Sequence, residues 1–444
     1  MFDMSNDSRL FRTRPQLEAE GFQLWGNKMV KKEPVANGEL RIANGEGRAA
    51  SDKSQMASGE SRIANGEGLI ASGESQMANG MQRTVSGESQ MANGEGSMVN
   101  GMHRNASGEW RITETWLPLY EAKMIWHYDH RFGTYAGVDS RTSTQTPTPT
   151  LEQYQNPNFQ IRPWYWVEKT YVNAHTVDNW FIGFRDITNS TNERTVVVSI
   201  IPLSAVSNKM PVLQFDNKNE NLLLYANLAS SVFDYIPRQK IGGTTLNFFY
   251  FKQFPALSID LYSDCEKQII IPHVLELVYN SWDIKSFSDD IWKEADEVLK
   301  IAIREQWEEN KTATGGHGWD PPEWCEIDPD GCPLPPFKWD EDRRAILKAE
   351  LDAIYARLYG LNRKQLRYIL DPADLTPREL ENILDPWEEV TDPLDPEGYL
   401  QRSTQSTFPG ETFRVLKEKD IRQFGEYRTR RLVLEAWERL KTKL

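Results

Sequence analysis

The stretch WDEDRRAILKAELDAIYARLYGL, residues 339–361, carries the clearest secondary-structure pattern in the sequence. Its apolar positions recur at spacings of three and four, which predicts an amphipathic helix with one buried face. Gly360 is placed to end this helix in a left-handed C-cap. The apolar positions are Ile346, Leu347, Leu351, Ile354 and Leu358.

Helical patterns also occur on both sides of this stretch. Residues 264–306 and 427–444 have apolar spacings typical of helices, and the acidic, Pro- and Gly-rich residues 310–337 are typical of a linker. Residues 115–136 are predicted to be helical because Tyr120, Met124, His127 and Phe132 lie near the helical period.

Residues 164–257 contain short runs typical of strands. The third run also fits a helix, since Leu224, Asn227, Leu228 and Ser231 would line one face. Strands and helices together predict an α+β fold. The four runs are FIGFRDI (181–187), RTVVVSIIP (194–202), LLLYANLASSVFDYI (222–236) and TTLNFFYFKQFP (244–255).

Residues 38–114 are eleven successive heptapeptides, ten of which begin with Gly. A coiled coil is disfavoured because the apolar positions of each unit are adjacent, and adjacent residues do not share a helix face. A stacked solenoid would need bulkier side chains in each repeat. We interpret the segment as a flexible, low-complexity insertion at a hairpin tip, between GNKMVKK (26–32) and WLPLYEAK (116–123).

The composition restricts the class of protein. The net charge is −14, and residues 256–444 hold most of the surplus, with 26 basic and 39 acidic side chains. Three cysteines do not make a disulfide framework. The sequence shows neither a signal-peptide pattern nor an apolar run long enough to span a membrane. We therefore expect a cytoplasmic protein without a membrane partner.

A search for catalytic and metal-binding motifs predicts none. DPPEW (320–324) has the two prolines of a base clamp, but Glu323 stands where the stacking ring would be. His317, Cys325 and Cys332 do not have the spacing of a zinc site. We therefore predict no catalytic residue, no metal and no bound cofactor in this chain.

Two polar stretches are candidates for binding. GFRDITNSTNERTVVVSIIP (183–202) places Arg, Thr and Asn at a loop tip, where they could contact base edges and phosphates. DYIPRQKIGGTTLNFFYFKQFP (234–255) places two basic residues before a Gly-Gly pair whose backbone could approach a phosphate. A plain hairpin turn and a tight turn beside a core strand remain open as alternatives.

Three long runs, in a fixed order, resemble the C-terminal half of adenine-N6 DNA methyltransferases. The family is that of type II, type IIG-like restriction–modification enzymes, including the methylases of BREX and DISARM phage defence. The likeness covers nearly all of the chain outside the repeat. The runs are residues 10–27 with 116–137, residues 183–202 with 224–255, and residues 337–371 with 408–440.

This resemblance implies a DNA target-recognition component that works with a separate methyltransferase chain. The family's cofactor loop and Asn-Pro-Pro-Tyr-type motif are missing here, so S-adenosylmethionine would belong to that catalytic partner. Double-stranded DNA is the expected second partner. A non-functional fragment of a split methylase gene and a protein-interaction scaffold remain alternatives. The residues expected at DNA are Arg185, Thr188, Asn189, Asn192, Arg194, Arg238, Lys240, Gly242, Gly243 and Asn247.

The predicted organisation of the α+β chain follows from these patterns. It consists of an N-terminal hairpin segment (1–37), the repeat insertion (38–114), a DNA target-recognition domain (115–262), a helical bracing segment (263–309), an acidic linker (310–338) and a helical C-terminal region (339–444).

Overall fold

The computed structural model describes most of the chain outside the repeat. The described residues are 1–34, 102–105, 108–141, 146–174, 176, 178–213, 217–387, 389, 392–406 and 412–441. They form two compact units, one of Met1–Arg14 with Leu117–Leu444 and one of Pro15–Trp116. The predicted flexibility of the repeat concerns residues that lie, for the most part, outside this description.

The described elements are ten strands, fifteen α-helices and five short 3-10 helices. The strands are β1 (Phe11–Thr13), β2 (Gln23–Trp25), β3 (Lys28–Pro34), β4 (Met102–Asn105), β5 (Gly108–Tyr120), β6 (Tyr165–Glu168), β7 (Trp180–Phe184), β8 (Val198–Pro202), β9 (Ala205–Val206) and β10 (Val212–Leu213). The helices are α1 (Arg14–Ala19), α2 (Leu151–Gln155), α3 (Lys169–Asn173), α4 (Lys218–Ala229), α5 (Ser231–Lys240), α6 (Phe248–Phe251), α7 (Asp264–Val278), α8 (Lys285–Glu294), α9 (Glu297–Thr314), α10 (Glu341–Leu358), α11 (Arg363–Leu370), α12 (Pro377–Glu381), α13 (Pro396–Gln405), α14 (Arg414–Phe424) and α15 (Arg428–Leu440). The 3-10 helices are Ser8–Leu10, Ala122–Met124, Ile259–Leu261, Trp282–Ile284 and Pro372–Asp374.

The α+β class is confirmed, since the chain combines helices with antiparallel sheets. In the smaller unit, β3 pairs antiparallel with β2 and with β5, where Met29 lies opposite Trp116. β4 pairs with β5, and Asn105 lies opposite Gly108. The last residues of the heptapeptide segment are therefore strand, which corrects the prediction that the insertion reaches residue 114.

The helix predicted over residues 115–136 is wrong. β5 continues to Tyr120, because Leu117 and Leu119 alternate into one apolar cluster while Tyr120 belongs to another. The irregular segment after it is held by the fully buried Arg131, which donates to the main-chain oxygens of Tyr154, Asn156 and Phe159. The apolar residues of this segment have the spacing of a helix, but hydrogen bonds to buried groups elsewhere in the chain determine its backbone conformation.

The central sheet has the strand order β10-β7-β8 and is buried on both faces. Trp180, Ile182 and Phe184 of β7 point to the core that contains the helices. Phe181, between them, packs in the second cluster with Ile201 of β8. Because the sheet is covered on both sides, its strands are nearly continuous apolar runs, FIGF in β7 and VSIIP in β8. The strands predicted from these two runs are confirmed.

The third predicted run is a pair of helices, α4 and α5, so the helical alternative is the correct one. The fourth predicted strand is wrong, because Asn247 caps the short helix α6 by accepting from the Tyr250 amide. That cap starts a helical turn where the aromatic run alone suggested a strand.

Helix α10 lies where the pattern of residues 339–361 predicts it, and Gly360 has the left-handed φ of +72°. It is not amphipathic in the expected way. Ile346 is 39% exposed, whereas Arg344, Asp352 and Ala353 on other faces are buried. The helix packs against α7 and α15 and is covered on most of its circumference.

The linker predicted over residues 310–338 begins inside helix α9, which ends at Thr314, and the residues after it pack onto the helices. The Phe337 amide donates to the Tyr279 oxygen at 2.8 Å, and the Cys332 oxygen accepts from Lys285 Nζ at 2.9 Å. A Cβ on Gly331 would lie 2.2 Å from a carboxylate oxygen of Asp289, so glycine is required there. The segment has no regular secondary structure, as its composition predicts, but it is fixed against the helices by these contacts.

Three buried arginines converge on the fully buried Asp374 in the C-terminal helical region. Arg367 Nε donates to Oδ2 at 2.9 Å, Arg402 Nη2 to Oδ1 at 2.9 Å and Arg430 Nη2 to Oδ2 at 2.6 Å. Burial raises the pKa of Asp374, but the charges of Arg430 and Arg367 outweigh it, so the pKa lies below its ordinary value. This carboxylate joins α11, α13 and α15.

We expect Asp374→Ala to destabilise the protein by about 3–5 kcal/mol, because it leaves three buried cations without their shared partner. The exposed Asp342, paired with Arg428, is a matched control, and Asp342→Ala should cost about 0–1 kcal/mol. Urea unfolding of the three proteins at neutral pH measures both values. Similar losses for the two variants would contradict the assigned role of Asp374.

Candidate nucleic-acid interface

The two polar stretches singled out from the sequence lie side by side. The Thr188 amide donates to the Thr244 oxygen at 3.0 Å, and the Leu246 amide donates to the Asp186 oxygen at 2.6 Å. Ile187 and Thr245 form an antiparallel bridge between these bonds. The loop between β7 and β8 and the segment 240–252 after α5 therefore form one continuous surface.

A buried ion pair on α5 fixes the first of these loops. Asp234 Oδ1 accepts from the amides of Thr195 and Val196, at 2.9 and 2.6 Å. Asp234 Oδ2 accepts from Arg238 Nε at 3.0 Å, one helical turn further along. The remaining Arg238 donors bond main-chain oxygens at 2.8–3.0 Å, and those oxygens belong to Ser190, Asn192, Glu193 and Thr412.

Arg238 therefore does not fit the role of a phosphate ligand that the sequence suggested. Its guanidinium is buried, its donors are used within the protein, and it stacks 4.4 Å from the Phe413 ring centroid. It organises the loop instead of contacting a ligand.

Arg185, Thr188 and Arg194 also point inward, which corrects their expected position at base edges. Arg185 donates to the Ile125 oxygen and lies 4.8 Å from the Trp126 ring, and burial lowers its pKa to about 10. Thr188 Oγ1 donates to the Thr195 oxygen at 2.6 Å. Arg194 is buried and donates to Ser231 Oγ at 3.0 Å.

The two asparagines of the loop differ in role. Asn189 is half-buried, and its Oδ1 accepts from the amide of Thr191 at 2.9 Å, which closes a local turn. Asn192 is exposed, although its main-chain oxygen is held by Arg238. Asn192 is thus the member of this loop whose side chain remains available.

The second segment keeps its candidates at the surface. Lys240 and Asn247 are exposed, and Lys240 has no ion pair or hydrogen bond with any residue that the structure describes. Gly242 and Gly243 are exposed, neither has a positive φ, and a Cβ on either would meet no atom within 4 Å. The packing of the protein itself does not require glycine at these positions.

Several exposed side chains here were missed by the sequence reasoning. Phe249 is 71% exposed, and Tyr250 and Lys252 are exposed beside it. Lys209, whose main-chain oxygen accepts from the Asp186 amide, adds a third lysine. The Asn247 cap was the signal that could have revealed a helical turn with outward aromatics. We define the interface patch as Ile187, Lys209, Asn192, Lys240, Asn247, Phe249, Tyr250 and Lys252.

The interface patch has a local positive charge although the chain is acidic. Residues 185–197 and 240–252 contain two carboxylates, Asp186 and Glu193. Asp186 is buried beside Lys209, and Glu193 is paired with Lys419 at 2.9 Å. A surface of lysines, amides and exposed rings can contact phosphates and stack on or wedge between bases.

No group of three or more His, Cys, Asp or Glu side chains within the described ranges is arranged to hold a metal ion. Burial raises the pKa of Cys325 to about 12 and that of Cys332 to about 11, so both remain protonated thiols.

None of the described helices has both the length and the apolar composition needed to span a bilayer.

Comparison with known proteins identifies no relative: no protein-family model, curated protein or solved structure matches the chain.

We expect Arg238→Ala to destabilise the protein by about 3–5 kcal/mol, because it strands the buried Asp234 and four main-chain oxygens. Lys240→Ala, two residues away and exposed, should change stability by less than about 0.5 kcal/mol. Thermal and urea unfolding of both variants measure the difference. A fully stable Arg238→Ala protein would show that the loop does not depend on this guanidinium.

Proposed function

We propose that the chain is the DNA-recognition component of an adenine-N6 DNA methyltransferase system of the restriction–modification or phage-defence kind. Methyl transfer would take place on a separate catalytic chain that binds S-adenosylmethionine. The observation that carries the proposal is the pairing of the loop between β7 and β8 with the segment 240–252. These are the two stretches whose residues the sequence marks as candidates for contact with DNA.

The chemistry of the interface patch supports a DNA partner. Lys240 and Lys252 supply charge that phosphates can neutralise, and such contacts provide affinity without sequence discrimination. The exposed amide of Asn192 can read a base edge, where a bidentate pair contributes about 1–3 kcal/mol of discrimination. Asn247 can donate from Nδ2, since its Oδ1 caps α6. The open Gly242-Gly243 backbone leaves room for a phosphate to approach.

The proposal assigns roles that differ from those expected from the sequence. Arg185, Arg194 and Arg238 shape the loops, and the lysines with the exposed asparagines make the contacts. A buried arginine that holds a loop in one conformation lowers the entropy lost when that loop meets its ligand.

We expect the double variant Lys240→Ala with Lys252→Ala to weaken binding to unrelated duplexes alike. Each lost phosphate contact should also reduce the slope of log affinity against log salt by about 0.9. Fluorescence anisotropy with two duplexes of different sequence, each at several salt concentrations, measures both effects. The control is Lys311→Ala on α9, an exposed lysine paired with Glu308 away from these segments, which should leave both quantities unchanged. Unchanged affinity and slope in the double variant would refute the proposed interface.

We expect Phe249→Ala to lower DNA affinity without altering the salt slope, because the ring is uncharged. A ring that stacks on or wedges against a base contributes about 1–3 kcal/mol per base. The same anisotropy titrations measure it, and Leu261→Ala, another exposed apolar position, serves as control. A salt slope that changes with Phe249→Ala would point to a rearranged patch.

A reconstitution tests the division of labour between chains. The full chain is mixed with the candidate catalytic chain, labelled S-adenosylmethionine and plasmid DNA. Methylation at defined sites is expected only when both chains are present. Methylation by the catalytic chain alone at the same sites and rate would leave this chain without a recognition role.

A protein-interaction role is the second candidate, and one observation favours it. Leu384 and Trp387 are 79% and 89% exposed in an acidic segment after α12. Neighbouring exposed apolar side chains are a feature of protein–protein interaction sites. If the chain is a scaffold only, it will bind no duplex even at low salt, and Leu384→Ser with Trp387→Ser will abolish binding to a protein partner.

A further inference from the structure

A cavity of about 390 Å³ lies in the larger unit. Its walls come from α10, α14, the start of α15, α2 with the residues before it, the loop between β7 and β8, and the irregular segment around residues 126–132. A volume of this size is in the range of small-molecule sites.

Three side chains of this cavity each have a nitrogen without a hydrogen-bond partner among the described residues. His127 is 5% exposed, and its buried Nδ1 has no hydrogen-bond partner. Arg344 is 3% exposed; Nη1 and Nη2 bond the Leu277 and Tyr128 oxygens at 2.7 and 2.9 Å, but its buried Nε has none. Lys348, one turn along α10, makes no hydrogen bond or ion pair to any part of the chain that the structure describes.

The carboxylates that line the same cavity are already occupied. Asp129 accepts from the Arg131 amide and Tyr154 hydroxyl, at 2.8 and 2.7 Å. Asp352 accepts from the Ser231 amide and hydroxyl, at 2.6 and 2.7 Å. Glu341, Asp420 and Glu193 are bonded to the Trp339 indole, the Thr429 amide and Lys419 respectively.

The difference between free donors and occupied acceptors indicates which kind of ligand the cavity would bind. Arg344 Nε, Lys348 Nζ and, in the tautomer protonated there, His127 Nδ1 are donors without an acceptor, whereas the lining carboxylates are hydrogen-bonded. Leaving a polar or charged group unpaired away from water is costly. The protein alone relieves that cost by partial loss of a proton, since burial and then the charge of Arg344 lower the pKa of Lys348 to about 7. An oxyanion would supply acceptors and a countercharge together.

Aromatic rings form part of the wall and suit an organic ligand. Trp126 stacks on Phe132 with ring centroids 5.3 Å apart, and Tyr154 stacks on Trp339 at 4.2 Å. Arg344 lies 3.5 Å from the Trp339 centroid, which fixes the guanidinium against the wall.

We propose that this cavity binds the phosphate or carboxylate group of a small anionic ligand, with His127, Arg344 and Lys348 as its donors. The three donor residues are not part of the interface patch, so the site can be tested without DNA. A phosphate and a carboxylate present the same acceptor chemistry, so titrations must distinguish an inorganic anion from an anionic group carried by an organic molecule.

The experiment measures the thermal stability and binding heat of the full-length chain with four probes at constant ionic strength set by chloride. These are inorganic phosphate, acetate, adenosine monophosphate and uncharged adenosine. Saturable stabilisation by at least one of the three anions, and none by adenosine, is expected. Stabilisation by the monophosphate well beyond inorganic phosphate would assign the aromatic wall to the organic part. Equal responses to phosphate and monophosphate would assign the site to the anion itself.

Lys348→Met tests the site directly. Removing an unpaired charge does not threaten folding, and anion affinity should fall about tenfold or more, because a charge-assisted hydrogen bond is lost. Lys348→Arg should retain measurable binding, and Lys311→Met on α9 should bind as the parent does. The proposal is overturned if no anion stabilises the parent beyond the chloride control. It is equally overturned if Lys348→Met binds the preferred anion with parental affinity.

Discussion

The Asp234–Arg238 pair holds together the part of the molecule that carries the proposed DNA interface. A loop that returns through the core must find partners for its main-chain groups, because buried amides and carbonyls left unbonded are costly. Asp234 accepts hydrogen bonds from two amides of the loop between β7 and β8. Arg238 donates hydrogen bonds to three carbonyl oxygens of the same loop. One further Arg238 bond reaches Thr412, so the loop, α5 and the chain before α14 share one fixed point.

The acidic composition of the chain does not decide what it binds. The surplus of acid lies in residues 256–444, outside the residues 187–252 that form the interface patch. Charges on the surface are screened over about 8 Å at physiological salt, so local patches outweigh the total. The patch with Lys240 and Lys252 can therefore attract phosphates on a chain whose net charge is −14.

The loop between β7 and β8 borders two candidate sites. Its outer part contributes Asn192 to the interface patch, while Glu193 and Arg194 line the cavity with Lys348. Since Arg238 bonds the main-chain oxygens of both Asn192 and Glu193, the two sites share one rigid segment. If anion binding in the cavity changes DNA affinity, we expect the effect to pass through the loop between β7 and β8, because residues of that loop belong to both sites.

The sequence by itself determined the elements whose signals are local. The helical spacing of α10, its glycine C-cap and the apolar runs of β7 and β8 were predicted correctly, as was the α+β class. It also identified the two stretches that meet at the candidate interface. The sequence could not determine the direction of each polar side chain. Whether an arginine contacts a ligand or stabilises the fold depends on residues that are distant in the chain. Arg238 bonds residues up to 174 positions away, and Arg344 bonds the oxygen of Tyr128, 216 positions away. Only the tertiary packing brought those oxygens within reach, and burial without water then made the bonds obligatory.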